Sequence, residues 1–247
     1  MSPKTHSVAE KKNHILMRLE ELRKRLIICA VAVGIGFVLS YGFTDSLFKI
    51  LARPLMASLP PGEKMVFTSL PEAFFCYLKT AFLSGIFLSM PVIMYEMWSF
   101  LGTGYNKGKK LMLLVPVVFS IIFFSCGVLF GYFAVFPFAF KYLIGFTSGD
   151  VKALPSMGEY FHLCAILLLA FGVTFQLPLV LTMLGRMGMV SVSFLRKNRK
   201  YAILLIFIGS AILTPTPDAF NLFLMAGPLV ILYEISIWGV RIFGRKL

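Results

Sequence analysis

Acidic residues are scarce in this chain. Only 11 of its 247 residues are aspartate or glutamate, against 24 lysines and arginines, giving a formal net charge of +13. Charged residues of both signs reach only 14%, where a soluble domain carries about a quarter. Three histidines and four cysteines leave little from which to build a metal centre. Cys29, Cys76, Cys126 and Cys164 lie in or beside apolar runs, form no CxxC, and are expected to be buried free thiols. No phosphate-binding glycine loop, zinc spacing or Ser-His-Asp order occurs, so neither an enzyme, a cofactor nor a metal finds support. What is abundant is apolar: 58% of the chain, the composition of a polytopic membrane protein.

The apolar runs can be taken in order. Residues 1–17 are a polar, basic tail. Leu26–Phe43 is the first span, uncleaved, because its polar lead is long and no cleavage site follows Phe43. Residues 44–71 form an outer loop in which Phe48–Leu59 has the period of a short interfacial helix. Ser69 and Pro71 signal a helix start, and Ala73–Met94 is the second span, which Pro91 is expected to kink or terminate. Residues 95–110 are a loop whose Trp98 and Tyr105 suit the headgroup belt. Leu111–Phe136 is the third span, with a GxxxG at Gly127 and Gly131 that permits close helix approach. After an outer loop at 141–158, Glu159–Leu184 is the fourth span, broken at Pro178. A basic loop at 185–200 precedes Tyr201–Leu213, only 13 residues long and about 20 Å in rise, short of the ~30 Å of hydrocarbon. Thr214 to Asp218 makes a rigid turn, and Ala219–Ile242, interrupted by Pro228, ends the series.

The expected fold is therefore all-α: a single integral membrane domain over residues 1–247, with six transmembrane helices, the fifth and sixth short. With both termini cytoplasmic, all but six of the 24 lysines and arginines lie inside; the six are Lys49, Arg53, Lys64, Lys79, Lys141 and Lys152. That asymmetry orients the chain and accounts for its charge without a nucleic-acid groove.

Few polar residues sit at membrane depth. Gln176 serves either the backbone groups freed by Pro178 or a contact between helices. Glu234 is expected to be an interface carboxylate, one or two turns from Arg241. Glu72 and Glu159 begin helices, where the dipole favours an acid, and Asp218 caps the last one. Before the first span, Glu20 and Glu21 precede Lys24 and Arg25 by four residues, the spacing of local helical ion pairs. On spacing alone the local pair is the favoured reading; a carboxylate at that mouth can also take an incoming guanidinium, whose planar fork matches it.

Four stretches in order resemble the TatC family, the signal-peptide receptor subunit of the twin-arginine protein translocase. They are Leu19-Glu20-Glu21-Leu22-Arg23-Lys24-Arg25; Pro91 through Phe100; Gly127 through Pro137 followed by Phe171 through Pro178; and Leu213-Thr214-Pro215 through Asp218. The resemblance implies a concave bundle in the bacterial inner membrane. It implies binding of twin-arginine signal peptides of folded precursors at the cytoplasmic face. It also implies assembly with the single-span TatA and TatB subunits, in a homo-oligomeric receptor complex driven by the proton-motive force. On this reading Glu21, Arg18, Leu22, Arg23, Glu96, Trp98 and Phe100 serve the signal, and Gln176, Pro178, Thr214, Pro215 and Asp218 serve a partner helix.

Three departures stand out. Arg18 replaces the family's usual histidine. The loop Tyr105–Lys110 lacks the second signal-binding acid, for which Glu96, on the same cytoplasmic face, is one candidate replacement. Gln176 replaces a mid-membrane glutamate. Two alternatives stay open: a secondary transporter, for which broken helices and an intramembrane amide would be expected, and a TatC-like paralogue without signal recognition.

Overall fold

The structure is a computed structural model that describes residues 3–60, 62–101, 110–145, 154–214, 216 and 218–244, with side chains from residue 16 onward except 101 and 110–113. Among the described residues it is helical apart from one isolated bridge between Val66 and Ser156. The order is α1 (Pro3–Tyr41), α2 (Thr44–Met56), α3 (Leu70–Leu101), α4 (Lys110–Phe130), a π turn (Gly131–Val135), α5 (Phe136–Ile144), α6 (Met157–Thr174), α7 (Leu177–Arg186), α8 (Val192–Lys197), α9 (Arg199–Leu213) and α10 (Ala219–Phe243). Four stretches are by themselves long and apolar enough to cross a membrane: Leu70–Phe100, Leu114–Ile144, Met157–Arg186 and Ala219–Phe243. Leu16–Tyr41 and Thr44–Met56, bent by 88° at the break between them, pass the same test only when counted together as one span. At 15 residues and roughly 22 Å, α9 is short, as its sequence requires. By contrast α10 has 25 residues and full membrane length, so the expectation of a short last helix is corrected.

Prolines punctuate this chain less than a soluble one. Pro91 does not end the second span, because α3 runs on to Leu101 and takes in Tyr95–Phe100, expected as loop. Pro228 does not interrupt α10. In apolar surroundings a backbone has no better arrangement than a helix, so one missing N–H is tolerated. Pro137 likewise leaves the third span unbroken. The five residues before Phe136 widen into a π turn, with the Phe136 N–H donating to the Gly131 carbonyl, and the helix continues to Ile144. Pro178 behaves as expected. It stands in the first turn of α7, after a turn at Phe175–Gln176 has closed α6.

The chain divides into two compact units. The first combines Met1–Phe43 with Ala81–Val118. Here α1 meets α3 at two glycines: a Cβ on Gly36 would stand 2.6 Å from the Gly85 carbonyl oxygen, and one on Gly85 2.6 Å from the Phe37 nitrogen. The Ser89 hydroxyl donates to the carbonyls of Gly85 (2.7 Å) and Ala32 (2.8 Å). Backbone approach of this kind is how helices associate where lipid removes the hydrophobic drive.

The second unit combines Thr44–Thr80 with Phe119–Leu247. The GxxxG acts as expected, since a Cβ on Gly127 would lie 2.6 Å from the Phe171 carbonyl oxygen of α6. Two tyrosines tie α2 down: Tyr132 donates to the Ile50 carbonyl and Tyr160 to that of Leu51, each at 2.6 Å. The Glu72 carboxylate, in the first turn of α3, accepts from the Thr68 N–H and hydroxyl, the Ser156 hydroxyl and the Gly158 N–H. One acid thus starts α3 and clips the approach to α6 beside it. All four cysteines are free; Cys76 and Cys164 are buried as expected, Cys29 is half-buried and Cys126 is exposed.

Candidate functional site

At the start of the first apolar run, α1 is a continuous helix, so Glu21 and Arg25 stand one turn apart on one face. The Arg25 guanidinium meets the Glu21 Oε1 through Nη2 (2.7 Å) and Nε (3.2 Å). Its Nη1 reaches across to α3, to the Glu96 Oε2 at 2.7 Å and the Glu96 carbonyl at 3.3 Å. Arg25 is 18% exposed, Glu21 31% and Glu96 13%. One buried-side guanidinium is therefore clasped by two carboxylates from two helices of the same unit. Arg25 uses one side-chain oxygen of each acid, and of the two carboxylates Glu21 is the more exposed. Charge-assisted bonds of this geometry are about twice as strong as neutral ones.

The neighbouring residues divide. Arg18, Leu22 and Arg23 are exposed on α1, where a ligand can reach them, and Phe100 is half-buried. Trp98, expected in the headgroup belt, is instead fully buried, so it shapes the end of α3 from within. Glu20 pairs with Lys24 at 3.1 Å, but both side chains are more than 60% exposed, and the pair is worth little. Arg25 is the residue that sequence reading left out of the site. Its spacing from Glu21 shows the local pair; the second carboxylate, 71 residues away, leaves no local signal. The loop Tyr105–Lys109, with its missing acid, lies outside the described residues.

A second set of polar groups lies in the other unit. Gln176, 6% exposed, donates through Nε2 to the Ser120 carbonyl of α4 at 2.9 Å. This is the contact between helices, not the local one. Its Oε1 is buried and, among the described residues, has no donor. Pro178 follows in α7. Between α9 and α10, the Thr214 hydroxyl donates to the Ser210 carbonyl (2.6 Å). Asp218 caps α10: its Oδ2 accepts from the Asn221 N–H (2.9 Å), and its Oδ1 from the Thr216 hydroxyl (2.8 Å) and the Asn221 amide (2.9 Å). Desolvation pushes the Asp218 carboxyl up, but these hydrogen bonds outweigh it and hold the group below the usual carboxylate range. Pro215 lies outside the described residues. Glu234 finds its partner on another helix: the Arg199 Nε stands 2.6 Å from its Oε1. A helix α9 packed beside α10 offers a closer base than two further turns of the same helix.

Residues 17–228 match the family described as Sec-independent protein translocase protein (TatC). The chain is 52% identical to the Sec-independent protein translocase protein TatC of Desulforapulum autotrophicum, over 96% of this chain and 87% of that protein. It is 34% identical to the protein of the same name from Escherichia coli strain K12, over 94% and 90%. A solved structure, the crystal structure of the twin arginine translocase receptor TatC, superposes with a TM-score of 0.79 at 35% identity, covering 92% of this chain and all of that one.

Proposed function

The chain belongs to the TatC family of Sec-independent protein translocase proteins, and from that premise we propose that Glu21 and Glu96 together receive the paired arginines of a twin-arginine signal peptide. The observation that carries the reading is the clasp itself. Arg25 already occupies the two carboxylates in the geometry a signal arginine needs, at 2.7 Å from each. An arriving Arg-Arg pair exchanges with or adds to it, and Arg18, Leu22, Arg23 and Phe100 border its path. Glu96 thereby takes the part of the acid that the 105–110 stretch lacks. Trp98, fully buried, keeps the end of α3 in place and does not touch the peptide.

The rest of the reading concerns assembly. The site faces the cytoplasm of a bacterial inner-membrane protein with both termini inside, as the distribution of bases requires. TatA and TatB bring single helices to the Gln176 side of the bundle, where polar residues hold helices together in hydrocarbon. The Thr214–Asp218 turn and short α9 leave them an edge, several copies of this chain form the receptor, and the proton-motive force drives export.

The test is binding of a twin-arginine peptide and its Lys-Lys counterpart to the purified chain in detergent. Loss of one charge-assisted partner is worth about 1.5–3 kcal/mol, or roughly 10- to 100-fold in affinity. Glu21→Gln and Glu96→Gln should each cost that much for Arg-Arg and erase the preference over Lys-Lys. If Glu96→Gln binds like wild type, Glu96 is not the replacement acid. If the wild type does not prefer Arg-Arg over Lys-Lys and neither variant changes binding, the paralogue or transporter reading moves ahead.

A further inference from the structure

From Tyr160 through Pro217 the chain contains no aspartate or glutamate, yet it holds Arg186, Arg196, Lys197, Arg199 and Lys200. Four of these five bases cluster where α8 ends and α9 begins. The structure treats them unequally. Arg199 is engaged by Glu234 of α10 at 2.6 Å. Arg196, Lys197 and Lys200 are exposed, and among the described residues no carboxylate pairs with them. The Lys200 ammonium stands 5.1 Å from the centre of the Tyr201 ring, a contact that keeps its charge.

α8 presents this charge from a fixed support. Leu195 is buried against Tyr233, Ile237 and Val240 of α10, and the Tyr233 hydroxyl donates to the Leu195 carbonyl at 2.9 Å. Phe194, about 100° round the helix from Leu195, is 58% exposed and one turn before Lys197. Met189, just before the helix, is 69% exposed. The positive-inside rule accounts for bases in a loop, but not for large apolar side chains held outward among them. Water suits the bases and not Phe194; hydrocarbon suits Phe194 and not the bases. The headgroup layer takes both, which is the physics of an interfacial amphipathic helix.

We propose that α8 and the first turn of α9 form a docking surface for an anionic phospholipid. Its phosphodiester is taken by Arg196, Lys197 and Lys200, and its acyl chains cover Phe194 and Met189. Charge complementarity selects the occupant: three bases with no carboxylate partner among the described residues, beside exposed apolar groups, match a net-negative headgroup carrying tails.

The experiment titrates the purified full-length chain with phosphatidylglycerol or phosphatidylcholine and counts bound lipids by native mass spectrometry. Each base near an anionic surface contributes about 1 kcal/mol, roughly fivefold. Replacing Arg196, Lys197 and Lys200 together by Gln should therefore weaken phosphatidylglycerol binding on the order of 100-fold and leave phosphatidylcholine unchanged. A charge-keeping variant (Arg196→Lys, Lys197→Arg, Lys200→Arg) should bind as wild type, which separates lost charge from lost folding. A control replacing Lys64, Lys79 and Lys141 by Gln should also bind as wild type. Unchanged phosphatidylglycerol binding in the first variant, an equal loss in the control, or displacement of the lipid by inorganic phosphate would each overturn the proposal.

Discussion

Two glycines on α1, two residues apart, should respond oppositely to the same added methyl. Around Gly34 nothing lies within 4 Å of where a Cβ would stand. Alanine there replaces the poorest helix residue short of proline with the best, a gain of up to about 1 kcal/mol. At Gly36 the same atom would stand 2.6 Å from the Gly85 carbonyl oxygen, 2.9 Å from the Ser89 Oγ and 3.1 Å from the Gly85 Cα. Two of those three neighbours are backbone and cannot rotate away, so the helices must part by several tenths of an ångström or more. Overpacking of this kind costs about 1–3 kcal/mol. Parting also stretches the Ser89 hydrogen bond to Ala32, worth roughly 0.6 kcal/mol in a membrane bundle. The two variants should differ by about 2–4 kcal/mol. The assay is reversible unfolding in mixed micelles at rising denaturing-detergent fraction, with helicity as readout. Because α1 and α3 also carry the Arg25 clasp, Gly36→Ala should weaken Arg-Arg peptide binding while Gly34→Ala leaves it alone. Equal stability of the two variants would refute the backbone-to-backbone crossing.

Two further outcomes follow from the other unit. Asp218→Ala removes the cap of α10 and should cost about 1 kcal/mol in the same unfolding assay, whereas Asp218→Asn, still a capping residue, should cost less. Since the folded-state carboxyl sits below its ordinary value, its contribution is complete above about pH 4 and is lost as pH falls through the folded value. The gap between wild type and Asp218→Asn should therefore narrow only in strong acid, and a gap that closes near neutral pH would contradict the assignment. Gln176→Leu removes the donor to the Ser120 carbonyl and the undonated Oε1 together, so the isolated chain should lose less than about 1 kcal/mol while capture of a partner helix falls; unchanged capture would remove Gln176 from that contact.

Much of this molecule can be read from its letters because a bilayer makes strict demands. Long apolar runs locate α3, α4, α6 with α7, and α10; the Gly127–Gly131 spacing points to a close approach; and Asp218 before an apolar run is a cap. What could not be read depends on three dimensions. Pro91, Pro137 and Pro228 look like breaks in a string of residues, yet the surroundings that tolerate them are lipid and neighbouring helices. The i,i+4 spacing finds Glu21 with Arg25, but Glu96 and Glu234 find their bases on other helices, at distances no local window spans. Trp98 looks like an interfacial anchor by type and is buried by packing.

The π turn before Pro137 has a consequence for how the third span keeps count. A π turn holds about one residue more than α geometry needs over the same stretch. Beyond it, Phe136 and Phe140 stack at 5.4 Å, and Phe140 meets Tyr160 of α6 at 5.1 Å. Were Gly131–Val135 to wind back into α geometry, everything from Phe136 to Ile144 would turn by about 100°. Phe140 would then swing away from Tyr160. The proline that forbids the α hydrogen bond is thus a phase lock, storing a surplus residue so that the two halves of one helix address different neighbours.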